Sequence, residues 1–187
     1  MKGRFIVLSL LAAVALALGA VASADVIKGT GGNDTIIGTP GPDVIAAKGG
    51  DDTVDAEAGN DKVYGGAGND RLLGGAGDDF VRGGTGDDTI DGGGGNDVLR
   101  GRPGNDTING GDGNDVIWVG SGADIENGGE GNDVMHALAA DNQVDRVDCG
   151  PGNDVAYENA SEHDVFVNCE KVITRVVTPK QAAEDNQ

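Results

Sequence analysis

Residues 65–100 read GGAGNDRLL GGAGDDFVR GGTGDDTID GGGGNDVLR, four successive copies of one nine-residue repeat. The same period holds from Gly29 to His136, which is twelve copies, and each copy has Gly at its fourth position and Asp at its sixth. A glycine fixed in the repeat predicts a tight turn with positive φ or a close backbone approach. The mostly branched apolar residue at the eighth position predicts a short strand packed on a thin core.

A three-residue strand cannot bury its face alone, so the repeats are expected to stack. Two repeats make one 18-residue turn of a coil, which places the sixth-position aspartates in two columns. Neighbours in a column then lie about 4.8 Å apart, one strand spacing. One column contains Asp34, Asp52, Asp70, Asp88, Asp106 and Asp124, and the other contains Asp43, Asp61, Asp79, Asp97, Asp115 and Asp133.

These aspartate columns predict a metal ligand set. Neighbouring carboxylates at this spacing repel by roughly 3 kcal/mol at an effective dielectric of 20, so the coil needs a cation to close. The loops offer carboxylates and turn carbonyls, without Cys or His. Hard oxygen donors favour Ca²⁺ over zinc or copper, and Mg²⁺ fits less well because it resists dehydration in all-protein cages.

The pattern resembles the RTX, or hemolysin-type, calcium-binding nonapeptide repeat GGxGxDxUx. The resemblance covers Gly29 to His136. It implies an all-β fold, a right-handed parallel β-roll, in which each Ca²⁺ lies between the loops of adjacent turns. It also implies that paired sixth-position aspartates, such as Asp70 with Asp88, bind the ions together with loop carbonyls. Six turns leave roughly five gaps along each edge, so about ten ions are the upper limit.

Several copies depart from the repeat, and calcium sites are least expected on their turns. The departures fall at the first, second, fifth and eighth positions: Ala47, Ala56, Val119, Lys48, Glu57, Pro42 and Glu126.

The N-terminus predicts export. An apolar run over residues 5–21 follows a basic start and ends in the small residues Ala22-Ser23-Ala24, which is typical of a secretory signal peptide. We expect cleavage of residues 1–24, with an uncleaved membrane anchor as the alternative. A secreted, extracellular chain meets calcium near the millimolar range, where loops of this type fill.

The net charge excludes one class of partner. Removal of residues 1–24 takes 2 of the 13 basic residues, so 11 − 32 gives a net charge of −21. Such a chain is not expected to bind nucleic acid, or a membrane after cleavage of the signal. Calcium ions are the expected partners, and about ten of them would nearly neutralise the chain. Folding and ion binding would then be one reaction that follows export.

After His136 the phase slips by three residues and the repeat becomes degenerate. The β-roll of twelve repeats is therefore assigned to residues 25–136, and residues 137–178 are interpreted as a cap that protects the last edge of the stack. Residues 179–187 are expected to form a disordered tail.

Cys149 and Cys169 lie 20 residues apart, close to one turn, which suits a disulfide in an exported chain. The bond would stabilise the cap by roughly 3 kcal/mol. A thiol catalyst or a zinc ligand is the alternative. The cysteine-containing end resembles that of secreted, actinobacterial-type RTX-repeat proteins.

The sequence predicts no enzyme, since HExxH and GxSxG do not occur in it. Function beyond ion binding would use an outward face. The seventh positions of one face are Thr35, Thr53, Arg71, Thr89, Thr107 and Ile125, and those of the other are Val44, Lys62, Phe80, Val98, Val116 and Val134. The second, more apolar face could bind a cell-surface polymer or another copy of the chain. The alternative is that its apolar residues are ordinary for β-strands and have no binding role. A surface adhesin or an ice- or polysaccharide-binding module is therefore the alternative function, although the threonine row that ice binding needs reduces to Thr85.

Overall fold

The structure is a computed structural model that describes residues 4–5 and 25–176. The described residues form eighteen β-strands and include no helix long and apolar enough to cross a membrane. The strands are β1 (Arg4–Phe5), β2 (Asp25–Lys28), β3 (Asp34–Ile37), β4 (Asp43–Gly49), β5 (Thr53–Asp55), β6 (Lys62–Ala67), β7 (Arg71–Ala76), β8 (Phe80–Thr85), β9 (Thr89–Gly94), β10 (Val98–Pro103), β11 (Thr107–Asp112), β12 (Val116–Ser121), β13 (Ile125–Glu130), β14 (Val134–Ala137), β15 (Arg146–Asp148), β16 (Val155–Asn159), β17 (Val165–Val167) and β18 (Lys171–Arg175).

Successive strands alternate between two parallel sheets. The odd-numbered strands form one sheet of nine in chain order, and the even-numbered strands form the other. We call these the odd sheet and the even sheet. From β2 to β14, each strand pairs with the strand 18 residues away in the same sheet, as Val63 does with Val81. The chain is therefore a right-handed parallel β-roll with two repeats per turn, which confirms the fold class expected from the sequence.

The core is a thin layer between the sheets, because each strand turns alternate side chains inward. The eighth-position side chains of all twelve repeats, from Ile36 to Met135, are at most 1% exposed. The sixth-position aspartates point inward as well and are also buried. Eleven of the twelve repeats thus contribute one apolar and one acidic side chain to the interior from these two positions, while the repeat of Asp124 contributes two acids, Asp124 and Glu126. A repeat taken alone would leave both side chains exposed.

The fourth-position glycine makes the turn that carries the chain from one sheet to the other. Its φ lies in the left-handed region in the ten copies from Gly50 to Gly131, and outside that region at Gly32. A Cβ added at Gly68 would collide with the carbonyl of Gly50, one turn earlier. Glycine is required there both for the backbone conformation and for the close approach of successive turns.

The roll continues through the degenerate C-terminal repeats. The register shifts from 18 to 21 residues where Ile125 pairs with Arg146, so the three additional residues are accommodated in the connection before β15. Cys149 and Cys169 form the expected disulfide, with 5.1 Å between their Cα atoms. The Cys149 side of this bond is part of the core.

Two expected segments fall largely or wholly outside the described residues. Of the expected signal peptide, residues 1–24, only Arg4–Phe5 is described, as a short strand paired with β3. The expected tail, residues 179–187, is not described.

Candidate metal centre

The sixth-position aspartates form two hydrogen-bonded columns along the edges of the roll. In each column, one carboxylate oxygen, Oδ1, accepts a hydrogen bond from the backbone N–H of the aspartate one turn earlier. The Asp70 N–H donates to Asp88 in this way at 2.8 Å, and the Asp79 N–H donates to Asp97 at the same distance. Each carboxylate is therefore held in place by the preceding turn, and the spacing of the column equals that of the strands.

The second oxygen of these carboxylates, Oδ2, is the unusual atom. It is buried without a hydrogen-bond partner among the described residues in ten consecutive copies, from Asp52 to Asp133. A buried oxygen with a negative charge and no partner is costly, and structures rarely retain one without an ion or water. The same unpartnered oxygen in ten successive aspartates indicates that these atoms are ligands of bound cations.

In most repeats that begin with glycine, a backbone carbonyl of the next turn faces the orphaned oxygen across a space that a side chain would fill. A Cβ added at Gly74, the first residue of its repeat, would lie 2.6 Å from Asp79 Oδ2 and 2.6 Å from the carbonyl oxygen of Gly92, one turn later. We call this space, between the first-position glycine, its own aspartate and the next turn's carbonyl, the cradle. It combines carboxylate and carbonyl oxygens, the donors that Ca²⁺ prefers.

Gly29 and Gly38 leave this space beside Asp34 and Asp43, whose Oδ2 atoms have other partners. In seven further repeats of the described chain the cradle faces an orphaned Oδ2, and we call these seven cradles open. Their first-position glycines are Gly65, Gly74, Gly83, Gly92, Gly101, Gly110 and Gly128, facing Asp70, Asp79, Asp88, Asp97, Asp106, Asp115 and Asp133. In the three remaining repeats with an orphaned Oδ2, the first residue has a side chain: Ala47, Ala56 and Val119, each fully buried. A methyl or isopropyl group replaces open space there, at three of the positions where the sequence departs from the repeat.

The first two repeats satisfy their aspartates without an ion. The Thr30 N–H donates to Asp34 Oδ2 at 2.5 Å and the Thr30 hydroxyl donates to the same oxygen at 2.9 Å. Thr39 makes the same contacts to Asp43, at 2.7 and 3.1 Å. Sequence reasoning treated Asp34 and Asp43 like the other ten, although threonine at the second position was a visible signal that they differ.

Burial changes the protonation of the columns in the metal-free roll. Desolvation raises the pKa of Asp70 to about 6 and that of Asp88 to about 7, against the lowering effect of the backbone hydrogen bond to each. The effect is larger at Asp106, where burial and, to a smaller extent, the charges of Asp124 and Asp88 together raise the pKa to about 8. Asp88 and Asp106, at the centre of one column, therefore hold protons near neutral pH in the metal-free roll, and a bound cation would have to displace them.

Glu126 is a further buried acid, at an eighth position where the neighbouring turns have Ile108 and Val147. It is 1% exposed, and neither carboxylate oxygen has a hydrogen-bond partner among the described residues. Burial raises its pKa well above the ordinary value, and the charges of Asp145 and Asp124 add to the shift. Burial thus favours the neutral form of Glu126 in the metal-free roll.

The aspartate columns extend beyond the twelve repeats, into the region where the sequence shows only a degenerate repeat. The Asp124 N–H donates to Asp145 and the Asp133 N–H donates to Asp154, across the shifted register. Asp145 in turn donates to Asp164 at 3.0 Å. Asp154 and Asp164 also have a buried Oδ2 without a partner.

A second ladder, at the fifth position, was not identified from the sequence. Here the backbone N–H of one turn donates to the side-chain oxygen of the preceding turn, as Asn69 does to Asp51 and Asn105 does to Asp87, at 3.0 and 2.8 Å. Its direction is opposite to that of the aspartate columns. The ladder explains why Asn and Asp share this position, since either side chain supplies the accepting oxygen.

Carboxylates alone do not complete a site. Within residues 4–5 and 25–176, no three His, Cys, Asp or Glu side chains converge as a metal-binding group. An ion in a cradle would therefore take its remaining ligands from backbone carbonyls, which suits Ca²⁺ and not zinc.

The comparison with known families agrees with this geometry. The family model described as RTX calcium-binding nonapeptide repeat (4 copies) matches seven overlapping stretches of the chain, namely residues 21–54, 37–72, 64–99, 73–108, 91–126, 100–135 and 127–156. The chain belongs to the RTX calcium-binding nonapeptide repeat family. The search of curated proteins found no match. RTX repeats bind Ca²⁺, so the protein is a calcium-binding β-roll of a structural type.

The RTX roll also carries a row of stacked rings on the outer face of the even sheet. Trp118 stacks on His136 with 4.7 Å between ring centroids, and His136 stacks on Tyr157 at 5.0 Å. The Arg100 guanidinium lies 4.8 Å from the Trp118 centroid. Both sides of the indole ring are thus covered, by Arg100 and by His136. The outer surface of the even sheet therefore presents the edge of this ring to solvent.

Proposed function

We propose that this RTX protein is secreted and that its roll folds when it binds Ca²⁺ after export. The columns of buried, unpartnered Oδ2 atoms carry the proposal. At neutral pH the unfolded chain has ionised aspartates, and folding without a cation would bury those charges or force protons onto them. A divalent ion in the cradles removes that penalty, so ion binding supplies free energy for folding.

The twelve sixth-position aspartates from Asp34 to Asp133 are the proposed calcium ligands, and the geometry ranks them. The seven repeats with an open cradle are proposed as the strongest sites. The turns of Asp52, Asp61 and Asp124 are proposed as weaker ones, because a buried side chain occupies the cradle. Asp34 and Asp43 already have threonine partners, so their turns are the last to bind. About ten ions remain the upper limit, with seven expected to bind tightly.

Export is supported by the sequence of residues 1–24 and by the family, since RTX repeat proteins are typically secreted. Cleavage of that segment would remove Arg4–Phe5 and leave β3 as the first strand of the odd sheet. The cell interior is poor in free Ca²⁺, so the chain would stay unfolded until it meets extracellular calcium. The proposed role is binding and structural, without catalysis, and residues 137–178 are proposed to cap the roll.

The alternative functions differ in how they would use the outer faces. Ice binding through the fifth-position asparagines is disfavoured by geometry, because these side chains already donate and accept hydrogen bonds within the ladder. Self-association through an apolar even face is disfavoured as well, since Val98 and Val116 at its centre are half-buried and the Trp118 ring is covered. Binding of a cell-surface polymer is the alternative function that neither observation disfavours.

Far-UV circular dichroism of the protein, titrated with CaCl₂ and in parallel with MgCl₂, tests the proposed function. A cooperative change from coil to β structure with Ca²⁺, and little or none with Mg²⁺ at the same concentrations, is expected. A β spectrum at neutral pH that a chelator leaves unchanged would overturn the linkage between folding and calcium.

A further inference from the structure

Two asparagines of the odd sheet are each followed directly by a cradle glycine. Asn109 lies in β11 and Asn127 lies in β13, both at the ninth position of their repeats, and the next residues are Gly110 and Gly128. No other asparagine of the chain precedes a glycine, whereas eight precede an aspartate. The two Asn-Gly pairs therefore join an outward side chain to the backbone of the calcium sites.

Each first-position glycine takes part in two cradles. A Cβ added at Gly92 would collide with Asp97 Oδ2 and with the carbonyl oxygen of Gly110. A Cβ added at Gly110 would collide with Asp115 Oδ2 and with the carbonyl oxygen of Gly128. Gly110 thus leaves the cradle of Asp115 open and supplies a carbonyl to the cradle of Asp97. Displacement of this one glycine would disturb two candidate sites, and the same holds for Gly128.

An Asn-Gly pair can react with itself when its backbone is free. The glycine nitrogen attacks the carbonyl carbon of the asparagine side chain, gives up its proton to water and expels ammonia, which leaves a succinimide ring. Water then opens the ring at either of its two C–N bonds and yields aspartate or isoaspartate. The reaction consumes one water and releases one ammonia per asparagine. Glycine permits the attack because it has no Cβ beside the nitrogen, while aspartate after asparagine hinders it.

The folded roll keeps these groups apart. The Asn109 Nδ2 donates to Asp91 at 3.0 Å, and the Asn127 Nδ2 donates to Asn109 at 2.9 Å, so the side chains are held in a row along the sheet. At the equivalent first positions Gly29 and Gly38, the backbone N–H donates to a carbonyl one turn later, at 2.8 and 2.7 Å. The extended strand also directs the asparagine side chain away from the following nitrogen. Ring closure would require the strand to open.

From this arrangement we infer that Asn109 and Asn127 are modification sites, which form isoaspartate in a chain that has not bound calcium and are protected in the calcium-loaded roll. The inference rests on the proposed linkage between calcium and folding. Isoaspartate lengthens the main chain by one atom directly before the cradle glycine, so that glycine would no longer face its aspartate. Each isoaspartate should therefore remove one or two calcium ions. A chain that stays long without calcium would lose binding capacity along one edge of the roll, at the cradles of Asp97, Asp115 and Asp133.

The reaction is followed in three parallel incubations of the protein at neutral pH: with saturating CaCl₂, with chelator, and with chelator plus denaturing urea. Peptide mapping by mass spectrometry measures deamidation at each asparagine, and isoaspartyl methyltransferase labels the isoaspartate. In chelator, Asn109 and Asn127 should react faster than any asparagine that precedes an aspartate. With calcium, their reaction should be slower by on the order of a hundredfold or more, because only the opened fraction reacts.

The effect on calcium is measured after the incubation. Chains returned to CaCl₂ are analysed by equilibrium dialysis, and those with isoaspartate at one site should bind one or two ions fewer than unmodified chains. The double variant Asn109→Gln, Asn127→Gln keeps both amides but closes the corresponding ring far more slowly, so it should retain the full number of ions. Asn127→Asp introduces the charge of the product without the additional backbone atom, and it should lose no ion.

Several outcomes would overturn the inference. Asn109 and Asn127 that stay intact in urea would exclude the reaction itself. Equal rates with calcium and in urea would exclude protection by the roll. Chains with isoaspartate that bind as many ions as unmodified ones, or an equal loss in Asn127→Asp, would exclude the effect of the backbone. Circular dichroism of the chelator sample separates this inference from the proposed function. A β spectrum there would contradict calcium-linked folding, while reaction in urea alone would still support protection by the folded strands.

Discussion

The substitution Gly74→Ala fills one cradle and leaves the aspartate columns intact. The new methyl group would lie 2.6 Å from Asp79 Oδ2 and from the Gly92 carbonyl oxygen, about 0.8 Å closer than an ordinary van der Waals contact. Overpacking of this kind costs about 1–3 kcal/mol. The fold should survive it, because Ala47 and Ala56 already occupy the same repeat position elsewhere in the roll. The ion between Asp79 and Gly92, however, should be excluded.

The loss of one ion changes how the free energy of unfolding depends on Ca²⁺ concentration, and steric strain does not. Above the dissociation constant, each bound ion adds about 1.4 kcal/mol to the free energy of unfolding per tenfold rise in Ca²⁺ concentration. The free energy of unfolding of Gly74→Ala should therefore rise less steeply with log Ca²⁺ than that of the wild type, by about 1.4 kcal/mol per decade. Steric strain alone would lower the whole line and leave its slope unchanged.

Urea unfolding followed by circular dichroism, over two decades of CaCl₂ concentration above the folding midpoint, measures both effects. Gly94→Ala is the matched control, because a Cβ there would meet nothing within 4 Å and its φ is not in the left-handed region. Its line should coincide with that of the wild type. Ala56→Gly should do the reverse of Gly74→Ala and steepen the line, since it opens the cradle of Asp61. A line for Gly74→Ala that runs parallel to the wild-type line would refute the assignment of an ion to this cradle.

Three further changes have outcomes set by the same structure. Glu126→Ile places an apolar side chain between Ile108 and Val147, so it should raise the free energy of unfolding of the calcium-loaded roll by about 1–4 kcal/mol, and a lower urea midpoint would contradict the buried position of this acid. Replacement of Cys149 and Cys169 by Ser should lower the stability by roughly 3 kcal/mol, with a loss of protection confined to the C-terminal strands in hydrogen exchange. In chelator, the metal-free chain should gain β structure as the pH falls from about 8 to about 5, because column pKa values raised to about 6–8 favour the folded state at low pH and lose that effect as pH rises through them. A circular dichroism signal that stays at coil across this range would show that burial of the columns does not control folding.

Much of the fold follows from the period alone. A nine-residue repeat with one inward apolar side chain is stable only when it stacks on other repeats. A turn of 18 residues then determines the two sheets and the register of pairs such as Leu72 with Ile90. The disulfide followed from the same arithmetic, since its 20-residue separation is close to one turn. These features depend on spacing, which a sequence states directly.

The details of the candidate site depend on hydrogen-bond direction, which spacing does not state. The sequence predicted one role for all twelve sixth-position aspartates. The structure distinguishes Asp34 and Asp43 by their threonine partners, and it gives each other carboxylate one bonded and one orphaned oxygen. The fifth-position ladder could not be predicted for the same reason, because the backbone geometry decides which turn donates the hydrogen bond and which accepts it.

The most direct test of the calcium assignment is an anomalous difference map from crystals of the calcium-loaded protein. Peaks are expected beside the Oδ2 atoms of the seven open-cradle aspartates, each also in contact with the first-position carbonyl of the next turn, and no peak is expected beside Asp34 or Asp43. Peaks placed elsewhere, or columns that hold no ion at saturating calcium, would contradict it.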